Sequence, residues 1–234
     1  MISTFQLALT SYVYINFTDF ERTYVQLIEE TKPTLDLANK DHRMHLLDWL
    51  NKWICRINRE QFNLASESIR IWNEQYLVSL CSPDKSLWEL SRAELGALSE
   101  AYENLRKRPA SIIERNCKRI TRTIGPTAAS KILFALRPNA AVAWDAGMRK
   151  ALRQDSRRCT YQSFLELVQT DLKELESELE RVGVELADLC LELSRPSATA
   201  AQIVGEYYWM KMNKGVIFPG DDFFRRWWTK TVDQ

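Results

Sequence analysis

At 234 residues the chain is long enough to bury a substantial core, as one large domain or two small lobes. Its 45% hydrophobic, 27% charged and 11% aromatic residues suit a folded globular protein and exclude a disordered one, and no apolar run approaches the roughly 18 residues of a membrane span. The net charge of +1 conceals an asymmetry: between Arg106 and Arg158 fourteen basic residues meet three acids, so this segment carries +11 and the remainder −10. Such a segment suits a face that meets a polyanion.

The first twenty residues, MISTFQLALTSYVYINFTDF, lack the basic flank and small-residue cleavage site of a signal peptide. Within them TSYVYINF reads as a strand as readily as a helix, which allows one short N-terminal strand in an otherwise helical chain. HLLDWLNKWICRI then places Leu46, Trp49, Leu50, Trp53 and Ile57 on one helical face. ESIRIWNEQYLVSL continues in the same style. CSPDKSLWEL reads as a loop and a helix start, with Asp84 or Ser86 as cap. SRAELGALSEAYENLRKR is a helix capped by Ser91 and closed before Pro109.

SIIERNCKRITRT is expected as a basic helix leading into the Gly125-Pro126 turn, with TAASKILFALR as the helix that follows and PNAAVAW as a connection. Helix, tight turn and helix make a compact helix–hairpin–helix. Its second helix presents unpaired backbone N–H groups and the positive end of a dipole to a phosphate. Arg115, Lys118, Arg119, Arg122 and Gly125 are therefore DNA-backbone candidates, joined by Arg149 and Lys150 further on.

Asp145 falls where the next helix begins, and a capping position stabilises its charge through backbone donors and the dipole. It serves either as a cap alone, contributing roughly 1 kcal/mol, or as a fixed negative charge facing a developing cation. At about 4 Å and an effective dielectric near 20, the latter attraction is on the order of 4 kcal/mol, close to a thousandfold in rate.

Beyond Asp145, the positions Leu165, Val168, Leu172, Leu175, Leu179, Val182, Leu186, Leu189 and Leu193 alternate at spacings of three and four. They form either a coiled-coil seam in a dimer or the inner stripe of a long helix packed into the same protein. The second is favoured, with Gly183 loosening the helix midway and the chain a monomer. The aromatic tail is expected to dock on the body. Five scattered cysteines without a C-x-x-C give no disulfide framework and no zinc site, so reduced thiols and a cytoplasmic location are expected. His42 and His45 have no partners at metal-ligand spacing, so no metal and no cofactor is expected.

The stretch IGPTAASKILFAL…VAWDAGMRKAL resembles the signature of the helix–hairpin–helix DNA glycosylase superfamily, over about residues 115–152. The resemblance implies an all-α fold of two helical lobes. Residues 41–136 would form the lobe ending in the hairpin, residues 1–40 with 137–234 the other, and a cleft would separate them. It implies hydrolysis of the N-glycosidic bond of a base flipped from double-stranded DNA, with Asp145 stabilising the oxocarbenium-like sugar and orienting water. Trp144 and Trp209 are candidate walls of the base pocket.

The family's hairpin carries two glycines one residue apart; here Thr123 holds the first position and Gly125 the second. Lyase members place a lysine two residues after the second glycine. Thr127 stands there, which implies a monofunctional enzyme leaving an abasic site, with Lys131 one turn on as a displaced amine. Oxidised, alkylated or mismatched bases, and modified bases of phage DNA, all fit the residues. The alternatives are a DNA-binding protein of the same fold without chemistry, and a dimeric scaffold built on the heptads.

Overall fold

The computed structural model describes residues 2–115, 118–155, 160–181 and 183–220. The fold is mostly α-helical with one small two-stranded sheet. Helices α1 (Thr4–Phe17), α2 (Phe20–Glu30), α3 (Lys40–Lys52), α4 (Phe62–Tyr76) and α5 (Arg92–Leu105) lead to strands β1 (Pro109–Arg115) and β2 (Lys118–Thr123). Then come α6 (Gly125–Leu136), α7 (Ala146–Asp155), α8 (Tyr161–Glu180), the short α9 (Leu189–Glu192) and α10 (Ala200–Asn213). Among the described residues no helix is long and apolar enough to cross a membrane.

Several helix starts follow caps written in the sequence. Ser91 and Glu94 close a reciprocal capping box on α5, as do Ser3 and Gln6 on α1. That second box carries α1 through TSYVYINF, so the stretch that allowed a strand is helical. Its β-branched residues are too few to override a capped helix that packs along α10. Ser86 begins a single tight turn over residues 87–89, also boxed by Glu89. Helix α3 stops at Lys52, because Ile54 and Arg56 take left-handed backbone conformations, φ 64° and 56°.

The stretch SIIERNCKRITRT is not a helix. It forms the antiparallel hairpin of β1 and β2, in register Ser111 with Arg122, Ile113 with Ile120 and Glu114 with Arg119. Pro109 removes a backbone donor, and Ile112, Ile113, Ile120, Thr121 and Thr123 are β-branched, so local preference favours a strand. One side chain satisfies the outward backbone groups of Ile112 on β1: Gln61 donates from Nε2 to the Ile112 carbonyl at 2.8 Å and accepts the Ile112 N–H at 2.5 Å.

The stripe on α8 packs inward. Leu165, Val168, Leu172, Leu175 and Leu179 are all buried in the common core. The helix ends at Glu180, and Gly183 turns the chain at φ 75° before Leu186 and Leu189 re-enter that core. Val182 lies outside the described residues. The buried side chains form one continuous cluster that spans residues 41–136 and the segments on either side.

Gly125 enters α6 at φ 77°, where an L side chain is strained even though no atom stands near an added Cβ. Gly125→Ala should therefore lower stability by about 1–2 kcal/mol, read as a lower urea midpoint with an unchanged slope.

Candidate functional site

The helix that precedes the hairpin is α5, and the ribbon of β1 and β2 interrupts its path into α6. The ribbon's root is pinned by the Ile124 N–H to the Arg108 carbonyl at 2.8 Å and the Gly125 N–H to the Arg106 carbonyl at 3.0 Å. Those two donors are occupied, and no side chain caps α6. Lys118, Arg119 and Arg122, expected on an entering helix, stand instead on the wholly exposed β2. Arg115 ends β1, and its side chain lies outside the described residues.

From Pro126 onward α6 turns inward, and every residue from Ala128 to Leu136 is buried. Ser130 fixes the connection that follows. Its hydroxyl donates to the Thr127 carbonyl at 3.0 Å and accepts the Trp144 N–H at 2.9 Å. The Tyr161 hydroxyl holds the same connection from the other side, donating to the Val142 carbonyl at 2.9 Å. These anchors set the backbone that delivers Asp145.

Asp145 is the cap of α7: Oδ1 accepts the Met148 N–H at 3.0 Å. Oδ2 accepts from Asn213 Nδ2 at 2.8 Å, a contact from the end of α10. Gly147 permits that approach, since a Cβ there would stand 2.0 Å from Asn213 Oδ1. Asp145 lines a small pocket together with Trp53, Lys131, Gln202, Glu206 and Trp209.

Lys131 is 7% exposed. Its Nζ donates to the Trp53 carbonyl at 2.6 Å and lies 5.1 Å from the centre of the Trp53 ring and 5.9 Å from that of Phe20. The carbonyl belongs to the residue that ends α3, where the helix dipole favours a cation. Burial pulls the ammonium below the usual lysine range, while Cys55 and Asp145 push it back up. Thr127 lies one turn closer to the helix start, outside the residues that line the pocket, and its hydroxyl accepts from Arg149 Nη2 at 3.1 Å. A spacing of four residues keeps one helical face but moves about 6 Å along the axis, so Lys131 rather than Thr127 reaches the pocket.

The two tryptophan candidates separate. Trp209 is on the pocket wall, 6.1 Å from Phe20 and edge-on to Tyr14 at 5.6 Å. Trp144, expected on that wall too, is a core residue: it stacks on Phe164 at 5.5 Å with the rings 7° from parallel and is not among the lining residues. Ser130 holds the Trp144 N–H and the ring stacks in the core, so of the two neighbours Asp145 faces the pocket and Trp144 the core. Arg149 is also partly internal, binding Thr127 and the Trp144 carbonyl, and burial lowers its guanidinium below the usual range. With Pro126, Lys150 and Arg153 it lines a shallow outer groove beside the start of α6.

Tyr14, Phe20, Trp53, Gln202 and Glu206 join the site although no motif singles them out. Gln202 and Glu206 sit four apart on α10 inside the apolar run AAQIVGEYYWM, and polar residues at that spacing were the visible signal. Gln202 Nε2 donates to Glu206 Oε1 at 2.8 Å, which fixes the amide orientation, because its oxygen would repel a carboxylate. Gln202 Oε1 is buried without a partner among the described residues. Burial raises the Glu206 carboxyl, and Arg195 opposes that by pairing with it at 2.5 and 2.8 Å.

Of the aromatic tail expected to dock on the body, Tyr207 and Tyr208 are buried on α10, and Phe223, Phe224, Trp227 and Trp228 lie outside the described residues. Among the described residues no group of three or more His, Cys, Asp or Glu side chains could hold a metal ion. Comparison with protein-family models, characterised proteins and solved structures finds no match to this chain.

Proposed function

We propose that the protein is a DNA glycosylase that hydrolyses the N-glycosidic bond of a damaged or modified base flipped from double-stranded DNA. The observation that carries this reading is the shared pocket of Asp145 and Lys131 beneath aromatic walls. Phe20, Trp53 and Trp209 offer faces on which a flipped base stacks. The unpartnered Gln202 Oε1 would accept a hydrogen bond from the base edge. A buried acceptor left unpaired costs about 1–3 kcal/mol, and a bound donor would remove that cost.

Bond cleavage makes the sugar cationic and the departing base anionic. Asp145 faces the first charge and the Lys131 ammonium the second, in a pocket where neither is fully screened. Water then adds to the anomeric carbon, its proton leaves to Asp145 or to the released base, and an abasic site remains. In this reading α5, the ribbon root and α6 form a helix–hairpin–helix with an extended hairpin. The pocket takes Trp53, Lys131 and Phe134 from residues 41–136 and its other lining residues from outside that range, as a cleft between two lobes would.

The experiment is base release from a panel of damaged oligonucleotides and modified phage genomes, with strand breaks scored before and after alkali. Breaks that require alkali support a monofunctional glycosylase, and the released base names the substrate. Absence of release on every substrate, with binding retained, supports the non-catalytic DNA-binding alternative.

Lys131→Met should slow release by roughly a hundredfold, the usual loss when one group facing a developing anion is removed. Borohydride should trap no covalent adduct, because the amine is engaged by the Trp53 carbonyl. An adduct that disappears in Lys131→Met would make the amine, not water, the nucleophile.

A further inference from the structure

We infer that the ribbon of β1 and β2 is a duplex-DNA reader that lies in the major groove. This goes beyond the excision reading and does not depend on its chemistry. Between Arg106 and Thr123 the sequence carries seven basic residues and one acid, Glu114. The charges divide into two groups. At the root, Arg106 Nε is tied to Glu103 at 2.8 Å and Arg108 Nε to Asn104 at 3.0 Å. On β2 the side chains of Lys118, Arg119 and Arg122 are exposed, and none has an ion-pair or hydrogen-bond partner among the described residues, although Glu114 stands in register with Arg119.

The ribbon is also stiff where it needs to be. Its root is locked to α5 and α6 by two backbone hydrogen bonds, and β1 is held at Ile112 by Gln61. What stays open is β2. Positions two apart share a face, so Lys118, Ile120 and Arg122 form a row, and Ile120 is 43% exposed between the two cations. Six strand residues span about 20 Å. The major groove of B-DNA, about 12 Å wide, admits a two-stranded ribbon of this kind, with cations reaching phosphates or guanine edges and an apolar side chain meeting a thymine methyl. The deep, narrow major groove of duplex RNA does not admit it.

Charged residues also protect exposed edge strands against pairing with another chain, so the same cations could serve that end alone. Charge reversal separates the two roles, because glutamate keeps a charge on the edge but repels DNA. The test compares the full-length protein with Lys118→Glu/Arg119→Glu/Arg122→Glu, using a 25-base-pair mixed-sequence duplex without modified bases. Fluorescence anisotropy is followed across a salt series, with gel filtration alongside.

The triple variant should remain monomeric and folded and bind at least tenfold more weakly. Its dependence of log affinity on log salt should be shallower by about 2.7, three contacts at about 0.9 each. Methyl green, which occupies the major groove, should displace the wild type at concentrations where the minor-groove ligand netropsin does not. Unchanged affinity and salt slope in the triple variant would overturn the proposal, as would equal affinity for duplex RNA or competition by netropsin alone. Because the duplex carries no modified base, the ribbon reading fails or stands independently of base release.

Discussion

Asp145→Asn should lose base release by about a thousandfold while binding duplex DNA within a factor of two of wild type. The loss corresponds to removing a charge attraction on the order of 4 kcal/mol at about 4 Å and an effective dielectric near 20. The substitution is nearly neutral for the fold. Asparagine caps a helix as well as aspartate does, so the Met148 N–H keeps an acceptor. The new amide would face Asn213 Nδ2 donor to donor, and rotation of the Asn213 amide relieves that conflict at the surface. Single-turnover release, DNA affinity and thermal midpoint measured on one preparation separate the roles. Retained release would end the catalytic reading of Asp145. Loss of release with a collapsed thermal midpoint would return it to a capping role.

The largest stability effect is expected at Arg195→Met, about 3–5 kcal/mol. Arg195 is 4% exposed and binds Glu206 through both terminal nitrogens, Glu21 through Nε at 3.0 Å and Ser11 at 3.1 Å. Without it Glu206 is a buried carboxylate with, among the described residues, only Gln202 left as a hydrogen-bond donor. Burial already raises the Glu206 carboxyl in the presence of Arg195, and removing the cation raises it further. A carboxyl raised in the folded state contributes stability that is complete below its unfolded pKa, about 4.3, and that is lost as the pH rises through the folded value. The deficit of Arg195→Met against wild type should therefore be small near pH 4 and grow toward neutrality. Chemical denaturation at pH 4, 5.5 and 7 reads it directly, and a deficit independent of pH would show that Glu206 is not the group left exposed to the loss. Because Glu206 also lines the pocket, the pocket floor is expected to loosen with the same pH dependence.

Local rules carried a good part of the architecture. The capping boxes at Ser91 and Ser86, the amphipathic face of Leu46, Trp49 and Leu50, the left-handed glycine before α6 and the cap at Asp145 all depend on neighbours within a few residues. The heptads of α8 were legible as an apolar stripe. Where that stripe went, into its own core, was a matter of which surfaces met.

The basic hairpin was misread because its charges dominated the pattern. In Ser111 to Thr123 the alternation that marks a strand is blurred by Arg and Lys on both faces. The structure favours the ribbon through Gln61, a partner fifty-one residues away that no local window contains. Lys131 and Asp145 are fourteen residues apart, yet their shared pocket depends on Trp53 ending α3, on Tyr14 and Phe20 from the first two helices, and on Gln202, Glu206 and Trp209 from α10. By itself the sequence determined most of the helices, several of their caps and the acid that caps α7, because hydrogen bonds and apolar spacing within one turn decide those. Only the tertiary structure decided that a buried lysine faces the same pocket as that acid, that Trp144 turns into the core and that the basic segment stands out as a ribbon, because burial and pairing between distant segments set each of these.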